Sequence, residues 1–175
     1  MGPTIPSLED VEKLPQLREL MVPAEYEDSH GHMQVTHHLG VHDGSRSQFI
    51  GLLGIDETYF SERRMGVPTV ECHLRFLAEV HVGDRVAVHV RFVARSARAM
   101  HTLWFLVNLS RQQIANTMEL VMVHVDLEQR RPTPFPEDVA LALDHMIAEH
   151  SALDWPASLC GSMRVHAGGR GDPER

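Results

Sequence analysis

From residue 67 onward the chain alternates. Val70, Cys72, Leu74, Phe76, Ala78 and Val80 interleave with Glu71, His73, Arg75, Leu77, Glu79 and His81, giving one apolar and one mostly polar face at the period of a strand. Gly83-Asp84 supplies a turn, after which Val86, Val88, Val90, Phe92 and Ala94 resume the alternation. These two runs are expected to pair as antiparallel neighbours. Two more runs, 101–110 and 114–127, are apolar on both faces, which suits the centre of a sheet or a subunit contact. An earlier strand between Leu17 and Tyr26 contains Pro23, which cannot donate to a ladder and points to an edge or a bulge. The pattern therefore predicts five antiparallel strands, the last four forming a meander.

Between the first strand and the meander the period changes. Val35, Leu39, His42, Arg46, Phe49 or Ile50, and Leu53 recur at three or four, the spacing of one helical face. Thr36 is a candidate N-cap, and Gly54 stands where a C′ glycine would end the helix. Gly40 and Gly44 lie inside it, each costing about 1 kcal/mol relative to alanine. Four apart, they predict close approach by other backbone, as when a sheet wraps round the helix. After Pro132, Pro134 and Pro136, the stripe Val139, Leu143, Met146 and Ile147 predicts a last helix ending near His150. One helix covered by a sheet is an α+β arrangement. Residues 1–16 read as a peripheral arm with a short helical turn at Leu8, Val11 and Leu14, residues 17–150 as a single domain, and 151–175 as an extension expected to be disordered at its end.

Composition narrows the function classes. A chain of 175 residues buries roughly two-thirds of its unfolded surface and folds without metal or disulfide support. With 16 basic and 24 acidic side chains its formal charge is −8, so nucleic acid is not an expected partner. No apolar run reaches the roughly 20 residues of a membrane span, and Pro3, Pro6, Glu9 and Asp10 do not resemble a secretory signal. The two cysteines, 72 and 160, lie far apart and fit a reducing compartment. The expected location is the cytoplasm.

Candidate chemistry concentrates in residues 26–39, which place Glu27, Asp28, Gly31 and several histidines just before the helix. Aspartate in that position is commonly a turn or cap residue; it can also be a base or nucleophile. His30, His32, His37, His38 and His42 raise the question of a metal, but the stretch has no cysteine and no His-Glu-x-x-His arrangement, so no metal is expected there. Glu71, His73 and Arg75 share a polar strand face whose default is solvent.

Asp28-x-x-Gly31-His32-Met33-Gln34, followed by Leu39, resembles the Asp-x-x-Gly-His-Met-Asn signature of hot-dog-fold acyl-CoA thioesterases of the 4-hydroxybenzoyl-CoA thioesterase type. Val70-Glu71-x-His73-x-x-Phe76-Leu77-x-Glu79-Val80-x-x-Gly83-Asp84, Met100-His101, His124-Val125-Asp126 and Arg131-x-x-Pro134-Phe135-Pro136 are most similar to the branch associated with carnitine and betaine breakdown. The resemblance implies a curved five-stranded sheet wrapped round one long helix, and a homodimer or homotetramer with the site near the subunit interface. It implies hydrolysis of a small or polar acyl-CoA, betainyl-CoA-like, with no cofactor beyond the coenzyme A of the substrate. Asp28 would act as general base or nucleophile, and the backbone amides at Gly31 and His32 would polarise the thioester carbonyl. Gln34, His38, Glu71 and His73 would contact the substrate. Gln34 and His38 depart from the asparagine and tyrosine usual in the family. That departure motivates the alternative of a non-catalytic hot-dog protein that binds an acyl-CoA or another partner.

Overall fold

A computed structural model describes residues 4–165. In chain order the elements are α1 (Leu8–Glu12), β1 (Gln16–Met21), a 3-10 turn (Ala24–Tyr26), α2 (Val35–Asp43), α3 (Arg46–Gly51), α4 (Glu57–Ser61), β2 (Met65–Gly66), β3 (Thr69–Phe76), β4 (Arg85–Arg95), β5 (Ala99–Asn108), β6 (Gln113–Val123), β7 (Val125–Asp126), β8 (Arg131–Pro132) and α5 (Glu137–Ser151). Five strands form one antiparallel sheet in the order β1-β4-β5-β6-β3, and the three short ones form a second. No helix among the described residues is long and apolar enough to cross a membrane.

The doubly apolar runs β5 and β6 are central, as their composition requires, and β1 is an edge strand that stops at Met21, short of Pro23. The predicted hairpin of the 70–80 and 86–94 runs does not form. β3 pairs with β6, from Glu71 opposite Val121 to Phe76 opposite Asn116, whereas β4 lies between β1 and β5. The connection explains the difference. Beyond Phe76 the amides of Leu77 and Ala78 both turn to the Ala115 carbonyl, and the chain then crosses to β4 through the His81–Asp84 turn, where Gly83 has φ +84°. Only β4, β5 and β6 make a meander.

The helix packed against the sheet is interrupted. α2 ends at Gly44 and α3 begins after Ser45, whose φ and ψ of −96° and 1° are not helical. Ser45 Oγ donates to the Val41 carbonyl at 3.0 Å, a local bond that competes with the helical ladder. Neither glycine is approached by backbone of another element: the space beside Gly40 is open, and that beside Gly44 holds the guanidinium of Arg18 and the Gly40 carbonyl of the same helix. Thr36 is not the cap either, since Gln34 occupies the N-cap position. Gly54, at φ +69°, closes α3, with the Ile55 amide reaching back to Ile50 at 3.1 Å, which is the C-terminal glycine motif.

Two apolar layers flank the sheet. On the helix side Val41, Phe49, Ile50 and Leu53 meet Val86, Val88, Val90, Phe92, Trp104, Met118 and Leu120, with Val139 and Leu143 of α5 at the margin. On the other side Val11, Leu14 and Trp155, from the arm and the extension, cover Leu103, Phe105 and Val107. Arg91 crosses this layer with its guanidinium 4.0 Å from the Trp155 ring centre, donating to the carbonyls of Trp155 and His150. The expected disorder of the extreme C-terminus concerns residues outside those described.

Candidate active site

Asp28 sits in a tight loop between the 3-10 turn and α2. Its amide donates to the His32 carbonyl at 3.0 Å, the Gly31 amide donates to the Asp28 carbonyl at 3.2 Å, and Gly31 has φ +82°. This left-handed conformation suits glycine and strains other residues. The loop is tied down from outside by the Met33 amide on the Val80 carbonyl (2.7 Å), the Gln34 amide on the Tyr26 carbonyl (2.8 Å) and His81 Nδ1 on the Gly31 carbonyl (2.9 Å). The rings of Tyr26 and His37 stack at 4.0 Å across its base.

Within this frame the carboxylate is fixed. Asp28 Oδ1 accepts the His30 amide at 2.8 Å, while His32 Nδ1 lies 3.3 Å from Oδ2 and His30 Nδ1 3.8 Å from Oδ1. The His30 amide is the main reason that the carboxyl titrates below its usual value; partial burial opposes this, and the His32 ring and amide reinforce it. With 21% of its side chain exposed, Asp28 is an ionised group at the edge of water.

Asp28, His32, Gln34 and His38 line one cavity of about 480 Å³, together with Val35 and the segment from Phe76 to Val80. Four of the seven expected site residues thus share one space. Gly31 supports it from the loop, but its amide is used within the turn. Val35, whose potential sequence reasoning missed, is the first residue of α2, and first-turn amides have no partner inside a helix. Its amide is part of the positive end of the helix dipole, where developing negative charge is favoured. The Gln34 carboxamide is turned to its own helix, accepting Thr36 Oγ1 at 3.1 Å. Glu71 and His73 do not line this cavity. Cys72 faces α2 with its cross-strand partner Leu120, so its neighbours 71 and 73 face the opposite side of the sheet.

Behind the cavity lies a buried polar chain. His38 presents its ring edge to Phe76 at 5.0 Å, and its Nδ1 lies 2.9 Å from Asn116 Nδ2; Asn116 Oδ1 is 2.7 Å from His42 Nε2. Burial pushes both imidazoles down to about 4, against the Met33 carbonyl beside His38 and the Asn116 amide beside His42. Both rings are therefore neutral at pH 7. A neutral His38 that donates toward Met33 must accept at Nδ1, so Asn116 donates there and its Oδ1 accepts the proton of His42 Nε2. His42 Nδ1 then faces the interior without a partner. The signal for Asn116 was an amide on the β6 face that also carries Met118, Leu120 and Met122. The histidines that suggested a metal are dispersed among these roles: His37 stacks on Tyr26, and His38 and His42 belong to the buried chain.

Residues 22–143 match the family described as the Thioesterase-like superfamily. The betainyl-CoA thioesterase of Pseudomonas aeruginosa is 28% identical over 138 residues, covering 79% of this chain and 87% of that protein. The L-carnitine dehydrogenase/betainyl-CoA thioesterase of Ruegeria pomeroyi is 25% identical over 146 residues, or 83% of this chain, which spans only 29% of that longer protein. Among solved structures, a Staphylococcus aureus protein in complex with CoA superposes with a TM-score of 0.76 at 19% identity, covering 87% of this chain and 97% of that one. A putative thioesterase from Pseudomonas putida gives 0.71 at 19% identity, with 88% and 98% coverage.

Proposed function

Because the chain belongs to the Thioesterase-like superfamily, we propose that it hydrolyses an acyl-CoA to free acid and coenzyme A, with Asp28 as the reacting carboxylate. The observation that carries this reading is an ionised carboxylate, fixed by the His30 amide, at a cavity that also takes in the start of α2. Asp28 either removes a proton from the attacking water or attacks the acyl carbon to form a mixed anhydride that water then opens. In both routes the carbonyl oxygen becomes an oxyanion; the His32 amide is engaged by the Asp28 carboxylate, and the Val35 amide at the start of α2 is the donor we assign to it. The thiolate of coenzyme A leaves without a dedicated acid, and no further cofactor is needed.

The names of the relatives, and an apolar cavity edged by His32 and Glu79, support a small or polar acyl group of the betainyl type. The β3 edge supports a homo-oligomer. Val70 is 60% and Phe76 49% exposed there, and a long apolar edge is a template for a second strand. Phe76 also lines the cavity, so pairing at that edge would place the site beside a subunit interface.

The test is thiol release from a panel of short, branched, aromatic and quaternary-ammonium acyl-CoAs. At least one is turned over by the native chain. Asp28→Asn retains an oxygen for the His30 amide and so keeps the loop, while its rate falls by about 10²–10⁴-fold. Unchanged turnover in that variant removes Asp28 from the mechanism. Tight binding without release across the whole panel favours the non-catalytic binding reading.

A further inference from the structure

The face of the sheet turned away from α2 carries a cluster that thioester hydrolysis does not use. His73 on β3 and Glu119 on β6 are direct cross-strand partners, and Cys160 arrives from the C-terminal extension. One ligating atom of each lies within 4.8 Å of the other two, the one such group of three among the described residues.

The surroundings are those of a held ligand set. Glu119 is 2% exposed, and both its oxygens are engaged: His101 Nε2 lies 2.8 Å from Oε1, and the Cys160 amide donates to Oε2 at 2.6 Å. That amide bond pins the Cys160 backbone beside the carboxylate, with Sγ 3.1 Å from Ser162 Oγ. His73 is exposed and, among the described residues, makes no hydrogen bond or ion pair, so its ring can turn inward at little cost. Around a tetrahedral ion with bonds of about 2.0–2.3 Å, ligand atoms sit roughly 3.4–3.8 Å apart. Closing the cluster to that size takes a shift of about 1 Å, within reach of an exposed imidazole.

We propose that His73, Glu119 and Cys160 bind zinc(II), with water in the fourth position. Thiolate, imidazole and carboxylate together suit this borderline ion and disfavour the all-oxygen preference of magnesium or calcium. His101 acts from the second rank, orienting the Glu119 carboxylate as outer partners of metal ligands do. On binding, the Cys160 thiol gives its proton to solvent, three protein ligands displace five of the six waters of the aqueous ion, and no electron is transferred. The ion would fasten the extension and the edge strand β3 to the central strand β6.

The protein, stripped with chelator and reduced, is titrated with cobalt(II) as the spectroscopic probe. One equivalent is expected to produce the intense visible bands of four-coordinate cobalt and a near-ultraviolet thiolate charge-transfer band, both abolished by added zinc. Cys160→Ser loses the charge-transfer band, Cys72→Ser keeps it, and His73→Ala weakens binding about tenfold or more. Asp28→Asn binds cobalt like the native chain, so the outcome is independent of the thioesterase reading. The proposal is overturned by absent binding, by a charge-transfer band that survives Cys160→Ser, which would assign the thiolate to Cys72, or by equal affinity in His73→Ala, which would take His73 out of the ligand set.

Discussion

Thirteen residues lie between Asp28 and His42, and the two ends of this span solve opposite problems. The Asp28 loop faces water and is held mainly by backbone: amides fix the carboxylate, and the histidines beside it, His30 and His32, remain partly or fully exposed. The chain His38–Asn116–His42 is buried, linked mainly by side chains, and its imidazoles are forced to be neutral. Histidines close together in sequence thus serve two regimes, one able to stabilise charge and one unable to tolerate it. The contrast teaches that chemistry and stability are divided along this span, so changes at either end have different readouts.

The sharpest way to break the comparison is to remove the bridge. Asn116→Leu preserves size but leaves His38 Nδ1 and His42 Nε2 unpaired in the interior, each at a cost of about 1–3 kcal/mol. The expected loss is about 3 kcal/mol, or a fall in Tm on the order of 10 °C for a chain of this length. Asp28→Asn should leave Tm nearly unchanged. Equal melting temperatures for Asn116→Leu and the native protein would show that the chain contributes no stability.

The second test uses pH. His38 and His42 have folded values lowered to about 4 from 6.5, so between those limits the unfolded chain binds more protons than the folded one. Stability is then fully present above pH 6.5, falls as pH drops toward 4, and loses no more from these groups below that. The slope within the window is at most about 1.4 kcal/mol per pH unit for each imidazole. Urea midpoints measured from pH 7.5 to 4 should trace this decline, and His38→Gln should make it shallower, the rest coming from His42 and from His89, His124 and His150, which burial also lowers. Asp28 contributes little in the same window, because its carboxyl, lowered chiefly by the His30 amide, loses its stabilisation mainly as pH falls through and below the ordinary aspartate value of 3.8. A decline as steep in His38→Gln would assign the pH sensitivity elsewhere.

Much of this division was legible in the residues. Period-two alternation is a local property, so β4, β5 and β6 could be read almost to their ends, and the carboxylate before the helix could be singled out because loop and helix start are adjacent in sequence. Pairing is not local. Nothing in the alternation of 70–76 says that its neighbour is β6 and not β4; that depends on where residues 77–84 take the chain. The break at Gly44-Ser45 depended on a hydroxyl choosing the Val41 carbonyl, and the buried chain on an asparagine 74 residues from His42. For the same reason His73, read as a neighbour of the substrate, faces the other side of the sheet within this subunit.

The finest test concerns why position 31 is glycine. Two explanations compete: a side chain there would obstruct an approaching acyl group, or the backbone there requires a positive φ. The space beside Gly31 is open to 4 Å, and its φ is +82°, so nothing among the described residues blocks a methyl group and the conformation is the operative constraint. Gly31→Ala should cost about 1 kcal/mol, a few degrees of Tm. Gly31→Asn should cost less, because asparagine tolerates the left-handed region through its own local hydrogen bonds. If backbone alone matters, thiol release should follow the same order, with Gly31→Asn closer to native than Gly31→Ala although its side chain is larger. The reverse order, activity falling with side-chain size while Tm stays constant, would mean that the acyl group passes over Gly31, and that the Asp28 loop is shaped by its substrate as well as by its own backbone.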